Sequence, residues 1–248
     1  MEGPTFWIVA VIASLFVGMG KGGLPMIGMM GVPVLSLVIH PVAAAGLLLP
    51  VYVVSDQFGL YAYRREFDKR VLAIVVPGML FGICVAWATA SIMPERVVTG
   101  LVGLIGVVFA VNALFRRKID TPSKPARVAP GLFWGTLTGI ASFVVHSGSP
   151  PFQVYTLPLK MPKAVFAGTA TIAFAIANAV KLVPYYYMGQ LDVSNLEIAA
   201  VLMIPASIAV FAGVRLVKVL PETLFYRIIT YALLAVSAKL LWDAIVGA

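Results

Sequence analysis

SLFVGMGKGGLPMIGMMGVPVL, residues 14–35, interrupts a strongly apolar run with Gly18, Gly20, Gly22 and Gly23, a lysine at 21 and a proline at 25. Either side of it the chain is apolar enough to be helix in lipid. A break there leaves backbone N–H and C=O groups unpaired at several kcal/mol each, so it persists only where protein or a cavity satisfies them. A cation at such a break either snorkels to an interface or, as the mid-hairpin position of Lys21 favours, marks a functional position.

The surrounding composition sets the environment. Of 248 residues, 61% are hydrophobic and 11% charged, and the mean hydropathy is +1.00. A soluble domain of this length is nearer half apolar and a quarter charged, so the excess faces lipid. The expected class is an all-α polytopic membrane protein. The net charge of +8 does not indicate nucleic acid, because the bases cluster in short loops between apolar runs. The first apolar run lacks a basic leader, Glu2 being its early charge, so no cleavable signal is expected. With one cysteine, Cys84, no internal disulfide can form.

Apolar runs fall at about 6–20, 24–39, 42–62, 71–90, 97–115, 130–145, 151–159, 164–187, 196–214 and 223–246. Six are long enough to span: 42–62, 71–90, 97–115, 164–187, 196–214 and 223–246. The pairs 6–20 with 24–39, and 130–145 with 151–159, are shorter and read as broken or re-entrant hairpins. Basic loops around Arg64, Arg65, Lys69 and Arg70, and around Arg116, Arg117, Lys118, Lys124 and Arg127, are expected in the cytoplasm. Lys160 with Lys163 and Arg215 with Lys218 mark further inside loops, whereas Gly189-Gln190-Leu191-Asp192 faces outward. Both termini come out extracytoplasmic.

The halves share their punctuation. Phe6-Trp7 matches Phe133-Trp134, Gly23-Leu24-Pro25 matches Gly148-Ser149-Pro150, Pro77 matches Pro205, and Pro94-Glu95 matches Pro221-Glu222. The chain therefore reads as a first transmembrane repeat (1–115), a cytoplasmic linker (116–129) and a second repeat (130–248). Each repeat is one broken hairpin plus three spans, about ten helical segments in all. The basic loop 63–70 corresponds to the turn near Asp192, which makes the repeats inverted, a transporter architecture with its site near the midplane at the breaks.

Half-helices opening near Pro25 and near Ser149 would aim their N-termini, each carrying about +0.5 charge, at one region, which favours an anion. The candidate substrate-binding residues are Lys21, Gly22 and Gly23 at the first break and His146, Ser147, Gly148, Ser149 and Gln153 at the second. Candidates for coupling or gating are Asp56, Gln57, Asn178 and Lys181. Asp56 reads either as a proton-coupling carboxylate or as the partner of a lysine, and Lys181 either binds or snorkels among Tyr185, Tyr186 and Tyr187. Gly18 and Gly20 serve either the bend or close packing. Lys239 and Asp243, four residues apart, are expected to pair.

GMGKGGLPMIGMMGVPVL and HSGSPPFQVYTLP, one per half, resemble the repeat motifs of the sulfite exporter TauE/SafE family, and the likeness extends over nearly the whole chain. The resemblance implies a bacterial inner-membrane permease for small sulfur-containing or organic anions such as sulfite or sulfonates, often exporting them. The expected function is thus a secondary anion transporter working by alternating access, with the anion held between the two breaks. The expected partners are that anion and the bilayer, with no nucleic acid, no cofactor and no metal, and a homodimer as the default assembly. Two other classes fit less well. A cation or metal permease wants carboxylates along its path, and Lys21 opposes it. An intramembrane hydrolase using His146 with Ser147 or Ser149 lacks G-x-S-x-G, and two histidines with one cysteine give no metal-ligand spacing.

Overall fold

The structure is a computed structural model and describes residues 3–90, 92, 94–115, 123–189 and 193–246. Linker residues Arg116, Arg117 and Lys118 and the turn residues Gln190, Leu191 and Asp192 lie outside them. The described residues form eleven α-helices: α1 (Pro4–Lys21), α2 (Pro25–Gly28), α3 (Gly31–Leu35), α4 (Pro41–Tyr63), α5 (Lys69–Ala88), α6 (Glu95–Phe115), α7 (Val128–Val144), α8 (Ser149–Thr156), α9 (Lys163–Tyr187), α10 (Val193–Val219) and α11 (Glu222–Val246). A 3₁₀ turn, Leu157–Leu159, extends α8. The protein is an all-α, multi-pass membrane protein.

Seven of these helices are long and apolar enough to cross a membrane, one more than the sequence runs indicate. The addition is α1. Its 18 residues reach about 27 Å at 1.5 Å per residue. The helix continues through Gly18 and Gly20 because both glycines are packing surfaces. A Cβ on Gly18 would stand 2.0 Å from the Ala206 carbonyl oxygen of α10, and one on Gly20 would stand 2.5 Å from the Gly28 Cα of α2. The break is therefore confined to Gly22, Gly23 and Leu24. The apolar run 24–39, by contrast, divides into the short α2 and α3, and both pack back on α1.

The chain forms two compact units that cut across its two sequence halves. Unit 1 holds residues 1–67 and 164–220, and unit 2 holds 68–163 and 221–248. In unit 1, α1 packs on α10, and α10 on α4. The core there is built from Ala10, Ala13, Val17, Leu35, Leu48 and Ala206, among others. In unit 2, α7 packs on α5 and α6 on α11. The α5–α7 contact is a run of close backbone approaches, with Gly135 against Val75, Gly139 against Met79, and Gly82 against Thr136.

The sequence pairs Pro77 with Pro205 and Phe6-Trp7 with Phe133-Trp134 fall inside four of these helices. Pro77 lies inside α5 and Pro205 inside α10. The Phe6–Trp7 rings of α1 meet edge to face at 5.6 Å, and the Phe133–Trp134 rings of α7 do so at 5.2 Å. If α7 is the counterpart of α1, and α5 of α10, then the principal pairing of unit 1 and that of unit 2 join equivalent elements.

Candidate functional site

At the first break the backbone is almost fully accounted for. Gly22 N–H bonds back to the Gly18 carbonyl at 2.9 Å, and Gly23 N–H to that of Gly20 at 3.2 Å. The Tyr63 hydroxyl donates to the Gly22 carbonyl at 2.7 Å, and the Thr171 hydroxyl donates to the Lys21 carbonyl at 3.1 Å. These side chains from α4 and α9 replace the helical partners that the break removes. Gly23 makes the turn at φ +104°, with Tyr63 Oη 2.5 Å from where its Cβ would be. That conformation and that crowding both require glycine.

The side chain of Lys21, 6% exposed, turns into unit 1. Its Nζ lies 2.8 Å from Asp56 Oδ1 on α4 and 4.9 Å from the ring centroid of Tyr52, one turn before Asp56. Asn178 Nδ2 on α9 donates to the other oxygen, Asp56 Oδ2, at 2.8 Å. Lys181, one turn further along α9, is 2% exposed and within electrostatic range of both Lys21 and Asp56. It does not snorkel to an interface. It shares its helix face with buried Asn178 and Tyr185, while Tyr186 and Tyr187 point outward. Asp56 is thus the ion-pair partner of Lys21. Gln57 is exposed, and its amide bonds back to the Val53 carbonyl at 3.3 Å, away from this cluster.

The second break carries no lysine and no carboxylate. α7 ends at Val144, and Val145 N–H and Ser147 N–H both donate to the Ala141 carbonyl at 3.1 Å. His146 takes φ +51°, a left-handed conformation that histidine adopts more readily than most side chains. The Ser147 hydroxyl donates to the Val145 carbonyl at 3.0 Å. Gly148 caps α8, its carbonyl accepting from Phe152 N–H at 3.3 Å. A helix N-terminus ordinarily presents several free N–H groups, but Pro150 and Pro151 stand in this first turn and have none. At the first break, α2 is a single turn opened by Pro25. Backbone donors are therefore scarce at both half-helix starts, and side chains must supply the chemistry.

In unit 2 that supply is unusual. Gln153 has no exposed surface, and neither its Nε2 nor its Oε1 has a hydrogen-bond partner. Ser149 and Ser147 are each 3% exposed. Among the described residues no group of three or more His, Cys, Asp or Glu side chains could hold a metal ion.

The chain matches the family model described as sulfite exporter TauE/SafE over residues 6–240. It belongs to the sulfite exporter TauE/SafE family. No curated protein and no solved structure matches it. Membership implies membrane transport of the sulfite- or anion-exporter type and makes this a transporter family member by descent.

Within this TauE/SafE chain, sequence reasoning missed Tyr52, Tyr63 and Thr171. Tyr63 and Thr171 act on the backbone of residues 41 and 150 positions away, and nothing local in sequence signals such bonds. The Lys239–Asp243 pair forms as expected, at 2.5 Å on an exposed face of α11.

Proposed function

We propose that the protein is a secondary transporter that exports a small sulfur-containing or organic anion, such as sulfite or a sulfonate, across a bacterial inner membrane. The observation that carries this reading is a charge count. Among the described residues the buried charged side chains are Lys21, Asp56 and Lys181, all in unit 1. Two lysine side chains stand against one carboxylate. A cluster with more basic than acidic side chains inside a membrane protein suits a bound anion, where a cation would meet two lysines.

Asp56 then serves as a resident counter-ion. In the absence of substrate it holds Lys21, and Asn178 fixes its second oxygen. An incoming anion competes with Asp56 for Lys21, so loading the site and releasing the Lys21–Asp56 pair are one event. That exchange links occupancy to the positions of α1, α4 and α9, which is what an alternating-access cycle needs. The loss or gain of a proton by the displaced carboxylate would make the same group a coupling site. Basic loops on the inside and both termini outside complete the topology. With a negative interior, moving one net negative charge outward gains about 2.3 kcal/mol per 100 mV.

The test is counterflow of labelled sulfite in proteoliposomes. Lys21→Gln and Lys181→Gln should each lower the rate about tenfold or more, a loss of one charge-assisted contact, while Lys21→Arg retains a larger share. Wild-type rates in both glutamine variants would overturn the assignment.

A further inference from the structure

Unit 2 holds a cavity that neither break uses. It encloses about 350 Å³ where the chain enters α7, between that helix and the α8 segment leading away from the second break. Pockets that take a whole ligand run to about 300–1,000 Å³. One water's share of the liquid is about 30 Å³, so a single small oxyanion would leave most of this space unfilled. The lining has two characters. Trp134, Val154, Pro158 and Leu159 give it a half-buried apolar floor, and Lys124 and Arg127 stand exposed at its margin.

The segment bearing these charges is held in place by its backbone. The Lys124 backbone N–H donates to the Pro158 carbonyl at 3.1 Å, and the Tyr155 hydroxyl donates to the Arg127 carbonyl at 3.0 Å. Residues 124–127 are thereby strapped across α8 and its 3₁₀ extension, with both basic side chains against the cavity. A third base, Arg70 at the start of α5, lies within electrostatic range of Tyr155. The carboxylate in the same range, Asp68, is engaged elsewhere. Its Oδ1 caps α5, accepting from the backbone N–H groups of Arg70 and Val71 at 2.9 and 3.0 Å. Among the described residues the lining contains two cations and no carboxylate.

We infer that this cavity seats an anionic phospholipid of the cytoplasmic leaflet, its phosphate between Lys124 and Arg127 and the start of its acyl chains on Trp134, Val154 and Leu159. Three features select that occupant over a dissolved anion. The floor is apolar and gives a small oxyanion no donors. The volume suits a headgroup with its glycerol rather than a lone oxyanion. Arg70, Lys124 and Arg127 also belong to the two loops whose bases mark the expected cytoplasmic side, where anionic lipid collects. Trp134 agrees with this depth, since tryptophan settles at the headgroup level. A zwitterionic lipid brings the same phosphate but carries an ammonium group toward the two cations, so net negative charge decides the preference. The site lies in unit 2, apart from the Lys21 cluster, and asks nothing of the transported anion.

The test is competition between phosphatidylglycerol and phosphatidylcholine of equal chain length for the full chain in detergent, read as lipid adducts by native mass spectrometry. The wild type should hold phosphatidylglycerol about tenfold more tightly, in keeping with two nearby basic residues. Lys124→Gln with Arg127→Gln should remove that preference, and neither change touches the backbone hydrogen bonds of the strap. Arg215→Gln with Lys218→Gln takes the same charge from exposed positions in unit 1 and should leave the preference intact. Equal wild-type affinities would overturn the site. So would an equal loss in the two double variants, which would reduce the attraction to diffuse charge. Displacement of the lipid by millimolar inorganic phosphate would make the ligand a dissolved anion and reject the lipid. Leu159→Asn should weaken both lipids severalfold and keep their ratio, and undiminished binding there would reject the apolar floor as the seat of the chains. None of these outcomes bears on Lys21 or Lys181, so the transporter reading stands or falls by its own counterflow test.

Discussion

The two breaks occupy matched positions in sequence and have opposite chemistry. The first is charged and internally satisfied: Tyr63 and Thr171 take its carbonyls, and Asp56 holds its lysine. The second holds no lysine and no carboxylate; two prolines remove backbone donors and Gln153 is buried with no hydrogen-bond partner. Even the turns differ, glycine at φ +104° in one and histidine at φ +51° in the other. Matched punctuation thus specifies where a helix stops, while the residues set between the punctuation marks specify what the stop is for.

The sharpest way to break this contrast is at Asp56. Asp56→Ala strands the buried Lys21 ammonium and the Asn178 amide, and should cost about 3–5 kcal/mol, read as a lower midpoint in thermal unfolding of the detergent-purified protein. The double variant Lys21→Met with Asp56→Leu should recover much of that loss, since paired removal leaves no stranded lysine charge and only the Asn178 amide loses its acceptor. Unchanged stability in Asp56→Ala would mean that the first break is not held by its charges. A smaller effect is expected at the turn itself. Gly23→Ala forces a Cβ into an unfavourable backbone region against Tyr63 Oη, at a cost of about 2 kcal/mol, in the same unfolding measurement. At the second break the sign reverses. His146→Gly relieves a left-handed conformation and should raise stability by about 1 kcal/mol, less whatever the imidazole ring contributes. A loss there comparable to that of Gly23→Ala would show the histidine to be as closely built in as the glycine.

Much of this was legible in the residues. The runs 71–90, 97–115 and 164–187 coincide closely with α5, α6 and α9, because long apolar stretches bounded by charge admit one structure in lipid. The spacing of Asn178 and Lys181 placed both on one face of a helix. The end of α1 was not legible. Gly18 and Gly20 look like breakers until Ala206 and Gly28 are seen against them, and those partners are distant in sequence or hidden in another short helix. The Lys21–Asp56 pair was foreseen only as one alternative, since the sequence shows that each charge needs a partner and not which partner it finds.

The interleaving of the two units has a consequence for how the chain is made. Residues leave the ribosome in order, but α1 and α4 find their partner α10 only after residues 193–219 have been synthesised. The contact order of unit 1 is therefore high, and its lysine–aspartate pair must enter the bilayer before Asn178 and Lys181 exist to complete its surroundings. Unit 2 is likewise open until α11 arrives to meet α6. A chain stopped after residue 163 would hold part of each unit and the whole of neither. Assembly is thus a late event governed by the last two spans, and a lesion in α10 or α11 should strand the earlier helices in the membrane, inserted but unassembled.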